Sequence, residues 1–293
     1  MKKLLIPLGL AVFLSPVGFA ESLLSAKVTK IVNDVRIFQP SASAKKAKVG
    51  DVINSRTTLQ TGRRSRSELR FRDNTLTRVG ANSIFSFERG TRDLHLEQGT
   101  ILLTVPKNAG GARIRTATVT AAVTGTTIMM EYFPKTGVKI IVLEGSLVTW
   151  TQREGRKGAR KTLRAGQMMI LNANDTRMPK PVNIDLARLV KTSGLADRRV
   201  FGPMPKLAQN RISSAISHQS RQMRNGSLVP AHRGPQRSGS GPAGGGSHPG
   251  PRANNQRGLL NDNLRRLPPP ACEGDRSGPL PSGGNPQCEG DLP

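Results

Sequence analysis

Between Leu94 and Trp150 the chain alternates short apolar runs with single glycines. The runs read Leu-His-Leu-Glu-Gln-Gly-Thr-Ile-Leu-Leu-Thr-Val from 94, Val-Thr-Ala-Ala-Val-Thr-Gly-Thr-Thr-Ile-Met-Met from 119 and Val-Leu-Glu-Gly-Ser-Leu-Val from 142. Thr, Val and Ile dominate, and β-branched side chains fit a pleated surface better than a helix, so the pattern predicts short strands. Gly99, Gly125, Gly145 and, in the run from Leu163 to Ile170, Gly166 sit between these strands. They are predicted as turns or bulges that need a positive φ or a close backbone approach.

Upstream, Val35-Arg-Ile37 and Leu69-Arg-Phe71 alternate apolar and basic residues, the period of a half-buried strand. Asn33-Asp34, Asp73-Asn74 and Lys135-Thr-Gly137 carry turn chemistry. Downstream, residues 183–191 followed by Ser193-Gly194 predict a short helix. Lys206–Arg224 predicts a second, basic helix, with a thin apolar face that docks on the β-domain rather than on a membrane. From Asn225 the chain turns to Gly, Pro, Ser, Asn and Arg, which bury too little apolar surface to offset the entropy of ordering. The expected fold is all-β, a solenoid-like stack or a two-sheet roll of short strands with glycine turns, followed by one or two short helices and a disordered tail. The expected divisions are 26–180 for the β-domain, 181–224 for the helical extension and 225–293 for the basic tail.

Charge changes the picture of partners rather than of fold. A net charge of +26 implies attraction to polyanions or anionic surfaces. Only 3% of residues are aromatic, too few for a platform that stacks single-stranded bases, so no specific nucleic-acid partner is expected. Lys2-Lys3, the apolar run Leu4–Leu14 and Gly18-Phe-Ala20 predict a secretory signal peptide over 1–20, cut after Ala20, which places the protein in the periplasm. The residue directly after that point is Glu21, not a cysteine that could carry a lipid, and no later stretch reaches the roughly 20 apolar residues that span a bilayer. Cys272 and Cys288 lie in the repeat Cys-Glu-Gly-Asp, and in an exported chain they suggest one disulfide closing a tail loop.

Six short motifs together carry a resemblance. They are Val49-Gly-Asp, Thr58-Leu-Gln-Thr-Gly, Glu68-Leu-Arg-Phe-Arg-Asp-Asn-Thr-Leu-Thr-Arg-Val-Gly, the run Thr116–Ile128, Leu143-Glu-Gly-Ser-Leu-Val and Ala165-Gly-Gln. In this order and spacing, over about residues 28–172, the chain resembles the FecR domain. Two positions depart from the family's pattern: Thr124 stands where an arginine often precedes Gly-Thr, and the hairpin turns at Asp73-Asn74 rather than Asp-Gly. The resemblance implies an exported recognition module that receives a signal from an envelope partner. Here a cleavable signal is expected in place of the family's cytoplasmic sigma-regulating segment and its transmembrane helix.

Candidate chemistry is sparse. Arg63, Arg64, Arg66, Arg70, Arg72 and Arg78 cluster around one predicted hairpin and form a candidate polyanion-binding stripe, with Arg70 and Arg72 on the face opposite Leu69 and Phe71. A solvated outer face explains the same run and is the plainer reading. Trp150 is read as core or edge packing, not as a ligand platform. Glu97 and Glu144 both precede turn glycines, but nothing nearby would separate their pKa values, so strand-end solvation explains them better than paired catalysis. No nucleophile elbow, His-Glu-x-x-His or phosphate-binding loop is present. The sequence therefore predicts a non-enzymatic binding module, without cofactor or metal, acting in envelope signalling or assembly. Its partner is an envelope protein; alternatively, as an envelope-structural protein, it holds anionic polymers through its basic face and tail.

Overall fold

The computed structural model describes residues 23–40, 42–88, 90–153, 156–175 and 177–231. The expected signal peptide and the Cys272–Cys288 pair lie outside these residues. In chain order the strands are β1 (Ser25–Val32), β2 (Val35–Gln39), β3 (Ala42–Lys46), β4 (Val52–Asn54), β5 (Thr58–Thr61), β6 (Arg66–Phe71), β7 (Leu76–Val79), β8 (Ile84–Phe87) and β9 (Asp93–Thr104). After a 3₁₀ turn, Lys107–Ala109, follow β10 (Ala112–Arg115), β11 (Val119–Val123), β12 (Thr127–Phe133), β13 (Gly137–Glu144), β14 (Ser146–Arg153), β15 (Arg156–Arg164), β16 (Gln167–Leu171) and β17 (Val182–Asn183). Three helices close the described chain: α1 (Leu186–Thr192), α2 (Arg198–Phe201) and α3 (Lys206–Arg224).

The strands form two layers that share β9. The first sheet runs β17-β16-β13-β12-β9-β7-β6-β1-β4. The second runs β3-β2-β5-β8-β9-β10-β11-β14-β15. The first half of β9 pairs with β8 and β10 in the second sheet, and its second half with β7 and β12 in the first. The change of layer falls at Gly99, with φ +101. From β9 the chain coils round so that β10 lies parallel to the start of β9, with Arg113 opposite Asp93. Every other pairing is antiparallel. The architecture is thus a two-sheet roll with one solenoid-like coil at its centre.

The glycines singled out in the sequence are the corners of this roll. Gly125 passes the chain from β11 to β12, Gly145 from β13 to β14 and Gly166 from β15 to β16, each with positive φ and each moving it to the other sheet. These corners stack. Val105 donates to the Thr126 carbonyl, the Thr126 hydroxyl to Ser146, Ala165 to Gly145 and Ile184 to Gly166. Gln219 of α3 ends the ladder, accepting from the Leu186 amide and donating to the Ile184 carbonyl. At the opposite end, Gly62 donates to Asp34, Asn82 to Gly62 and Gly80 to Thr100, joining the corners of β1 through β9.

Alternation decides which residues enter the space between the sheets. Val28, Leu69, Ile101 and Ile140 of the first sheet face Ile37, Phe85, Leu94, Ile114, Ala121 and Leu147 of the second, all essentially inaccessible. The first sheet is apolar on its other face too. Leu102, Ile141, Leu143 and Met168 point outward into a second cluster, beneath Leu186, Leu195, Phe201, Met204 and Ile212. The helices therefore cover the first sheet. Asp185 caps α1 by accepting from the Arg188 amide. Beyond the expected one or two helices there is the four-residue α2, capped by Asp197. Residues 225–231, expected to belong to the tail, bond back: Leu228 donates to Gln222 and Ala231 to Asn183.

Candidate functional site

The structure divides the six arginines of the predicted stripe. Arg63 and Arg64 are exposed in the corner between β5 and β6, where Arg64 has φ +53 and its carbonyl accepts from Asn33. Arg70 and Arg72 are exposed at the far end of β6, about 20 Å away at 3.3 Å per residue. Arg70 is paired with Lys27 across the outer face of the first sheet. Arg66 lies on that face next to Gly194. No continuous stripe exists.

Arg78 departs furthest from expectation, because it is wholly buried. It points outward from β7, but the helical segment sits on top of it. Its Nε donates to Glu68 Oε2 at 2.9 Å, Nη1 to the Leu195 carbonyl at 2.9 Å and Nη2 to the Gly202 carbonyl at 3.0 Å. The guanidinium lies 4.8 Å from the centre of the Phe201 ring. Burial lowers its pKa, and the bond and charge of Glu68 oppose that. Glu68, directly opposite on β6, also accepts from the Thr29 hydroxyl. This is a clamp that fixes the helices to the sheet, not a ligand site.

Glu97 and Glu144 are not a pair. Glu97 is exposed on the second sheet. Glu144 is buried, held by the Thr127 hydroxyl at 3.1 Å. Burial pushes its carboxyl above the usual carboxylate range, against the Thr127 bonds and the charges of Arg211 and Lys107. Among the described residues no group of three His, Cys, Asp or Glu side chains is placed to hold a metal ion.

What stays open is the outer face of the second sheet, since all three helices lie against the first. At its centre His95 of β9 stands between two shallow hollows, one lined by Ser55, Arg56, Ser86 and Glu88, the other by Arg115, Thr116, Tyr132 and Pro134. Asp93 on the same strand is 2% exposed and holds two arginines of β10: Arg113 Nε at 2.5 Å and Arg115 Nη2 at 2.7 Å. The parallel β9–β10 pairing brings these three together. Farther along, Trp150 is half-buried and faces outward from β14, an inner strand of the sheet, with Arg160 of β15 stacked 5.6 Å from the ring centre. It belongs to neither the core nor an edge, contrary to the sequence reading, because a single aromatic residue gives no period from which to tell its face.

Comparison with known proteins adds the family. Residues 57–148, from just before β5 to the middle of β14, match the FecR protein family model. Over these residues the chain is similar to the FecR domain. Two crystal structures of a proposed anti-sigma factor from Parabacteroides distasonis ATCC 8503, at 1.65 Å and 2.50 Å, are similar in fold. At 1.65 Å the identity is 15% and the TM-score 0.40 over 47% of this chain; at 2.50 Å they are 13% and 0.39 over 46%. The chain spans 65% and 64% of the length of those structures, just under two thirds. No curated protein matches the chain. The match takes in the strands that carry Glu68 and Arg78 and ends beside Trp150, so it covers the centre of both sheets. Thr124, where the family's arginine often stands, is exposed just before the Gly125 corner. The partners of the Arg78 clamp at Leu195 and Gly202 fall outside the match. Among the described residues no helix is long and apolar enough to cross a membrane.

Proposed function

We propose that the protein is exported to the periplasm and acts there as a non-enzymatic recognition module in envelope signalling, binding another envelope protein. The FecR match over 57–148 carries this reading, and the signal-peptide pattern of residues 1–20 supports the location. The outer face of the second sheet is where a partner protein has room, since the chain's own helices lie on the first. On this face β2, β5 and β8 present Arg36, Gln60 and Ser86, a mixed polar surface of the kind found at the rim of transient interfaces.

The test is site-specific photo-crosslinking in the native envelope, with the crosslinking residue at Gln60 on the second sheet or at the exposed Leu207 on α3. The expected result is one discrete protein adduct from Gln60, absent from Leu207, on a mature chain whose N-terminus is at or near Glu21. Equal adducts from both positions, adducts with lipopolysaccharide alone, or a mature chain still starting at Met1 would each overturn the proposal.

A further inference from the structure

The half of the second sheet's outer face formed by β10, β11, β14 and β15 is built differently from the half that faces Gln60. Cross-strand pairing sets out two rows. One is Arg113, Ala122, Val148, Thr162, and the other Arg115, Thr120, Trp150, Arg160. The middle of the first row is small and half-buried, which makes a floor two strands wide. Arginines stand at both sides, about 14 Å apart across three strand spacings of about 4.8 Å. Among the described residues of these rows there is no acid, and Asp93 offsets just one of the charges of Arg113 and Arg115.

A second observation points into this trough. Thr120 is 1% exposed, and its hydroxyl has no hydrogen-bond partner. By strand alternation it lies on the outward face, between Val119 and Ala121 of the core. It is flanked by Arg115 and Trp150. A buried hydroxyl without a partner is uncommon and costs stability.

We infer that this trough binds an acidic polysaccharide, a polyuronate-like chain lying across the strands. Pyranose rings present flat arrays of C–H groups that suit the indole of Trp150 and the floor of Ala122 and Val148, and their hydroxyls are partners for Thr120. Carboxylates on the rim meet Arg113, Arg115 and Arg160, and guanidinium pairs with carboxylate in a planar, two-bond geometry. Arg160 covers the indole in the free chain, but it is exposed and can turn to a ligand carboxylate. An acidic polypeptide fits less well. The face of a sheet has no free backbone groups, so a peptide's amides would lie unpaired against Ala122 and Val148.

The chain's single tryptophan makes the site its own reporter. The full mature protein is titrated with polygalacturonate, poly-L-glutamate and dextran near physiological salt, and the Trp150 emission is followed. Polygalacturonate should shift the emission saturably while the other two do not. Arg160→Ser and Ala122→Glu should each weaken that binding at least about tenfold, since each removes or opposes one charge-assisted contact. Both positions face outward, and a melting curve checks the fold; if Ala122→Glu lowers it, Arg160→Ser decides alone. The inference is overturned if poly-L-glutamate gives the same saturable shift, if polygalacturonate binds without changing the emission, or if Arg160→Ser binds as tightly as the parent. The crosslink at Gln60 does not depend on any of these outcomes.

Discussion

Replacing Arg78 with methionine should destabilise the protein more than any exposed arginine substitution. The side chain is fully buried and makes three hydrogen bonds, to Glu68, Leu195 and Gly202. Methionine fills much of the volume but leaves the Glu68 carboxylate, 5% exposed, with the Thr29 hydroxyl as its remaining side-chain donor, and strips the buried Leu195 carbonyl and the half-buried Gly202 carbonyl of a donor. Removing one partner of a buried ion pair costs about 3–5 kcal/mol. For a folded unit of this size that is a drop of roughly 6–20 °C in melting temperature. Replacing both partners by apolar residues is often close to neutral, so Arg78→Met/Glu68→Leu should recover much of the loss. Urea unfolding of the parent, the two single variants and the double variant completes the cycle. Two carbonyl partners sit beside α2, so Arg78→Met should also expose the 184–231 segment to protease before the strands are cut. A neutral Arg78→Met, or single effects that simply add, would show that the clamp is not what holds the helices.

Two further predictions concern the corners and the covered face. Gly125 has φ +65, and a Cβ there would come within 2.6 Å of the Lys107 Cα, whereas Gly50 has φ +98 with nothing within 4 Å. Gly125→Val should therefore exceed the roughly 1–3 kcal/mol of backbone strain that Gly50→Val costs, and equal melting temperatures for the two would refute the close approach. Glu144 has its carboxyl raised above the usual range by burial, so the fold is favoured when the group is protonated and loses stability as pH climbs through its folded value. Glu144→Gln keeps a partner for Thr127 and removes the charge, so it should flatten that slope as pH rises above the usual carboxylate range and raise the urea midpoint at neutral pH. A steeper slope in the variant would mean that Arg211 and Lys107 outweigh burial.

Much of the roll was legible because its strands follow local rules. β-branched runs broken by Gly99, Gly125, Gly145 and Gly166 place strands and corners without knowledge of the tertiary fold, and the limits of α3 follow from its pattern after Pro205. The layer order was not legible, since a corner glycine does not say which sheet the chain joins next. The Asp93–Arg113–Arg115 group depends on the parallel coil of β10 against β9, a pairing that no local pattern encodes. Arg78 was misplaced for a related reason. In Leu76-Thr-Arg-Val alternation sends the arginine outward, and outward means solvent only if nothing covers that face. A signal of the cover was present: Ile101-Leu-Leu and Ile140-Ile-Val-Leu are apolar at consecutive positions, as strands buried on both faces are.

The two outer faces therefore set different limits on what the FecR domain can do. On the first sheet Leu102, Ile141 and Leu143, all within the matched residues, pack beneath helices that lie outside them, and Arg78 and Glu68 fasten those helices from within the match. The cover is integral to the stability of the domain, because baring that face would expose a second core and strip the Arg78 guanidinium of its acceptors at Leu195 and Gly202. A partner that displaced α1–α3 would have to replace the apolar contacts and supply acceptors for Arg78 in place of the Leu195 and Gly202 carbonyls at once. A partner on the second sheet displaces nothing of the kind: most of its outer residues are polar or basic, and its apolar floor at Ala122 and Val148, beside the half-buried Trp150, is small. Recognition on that face costs the fold little, which is why both the protein partner and the acidic polysaccharide are assigned to it, one over β2, β5 and β8 and the other over β10, β11, β14 and β15.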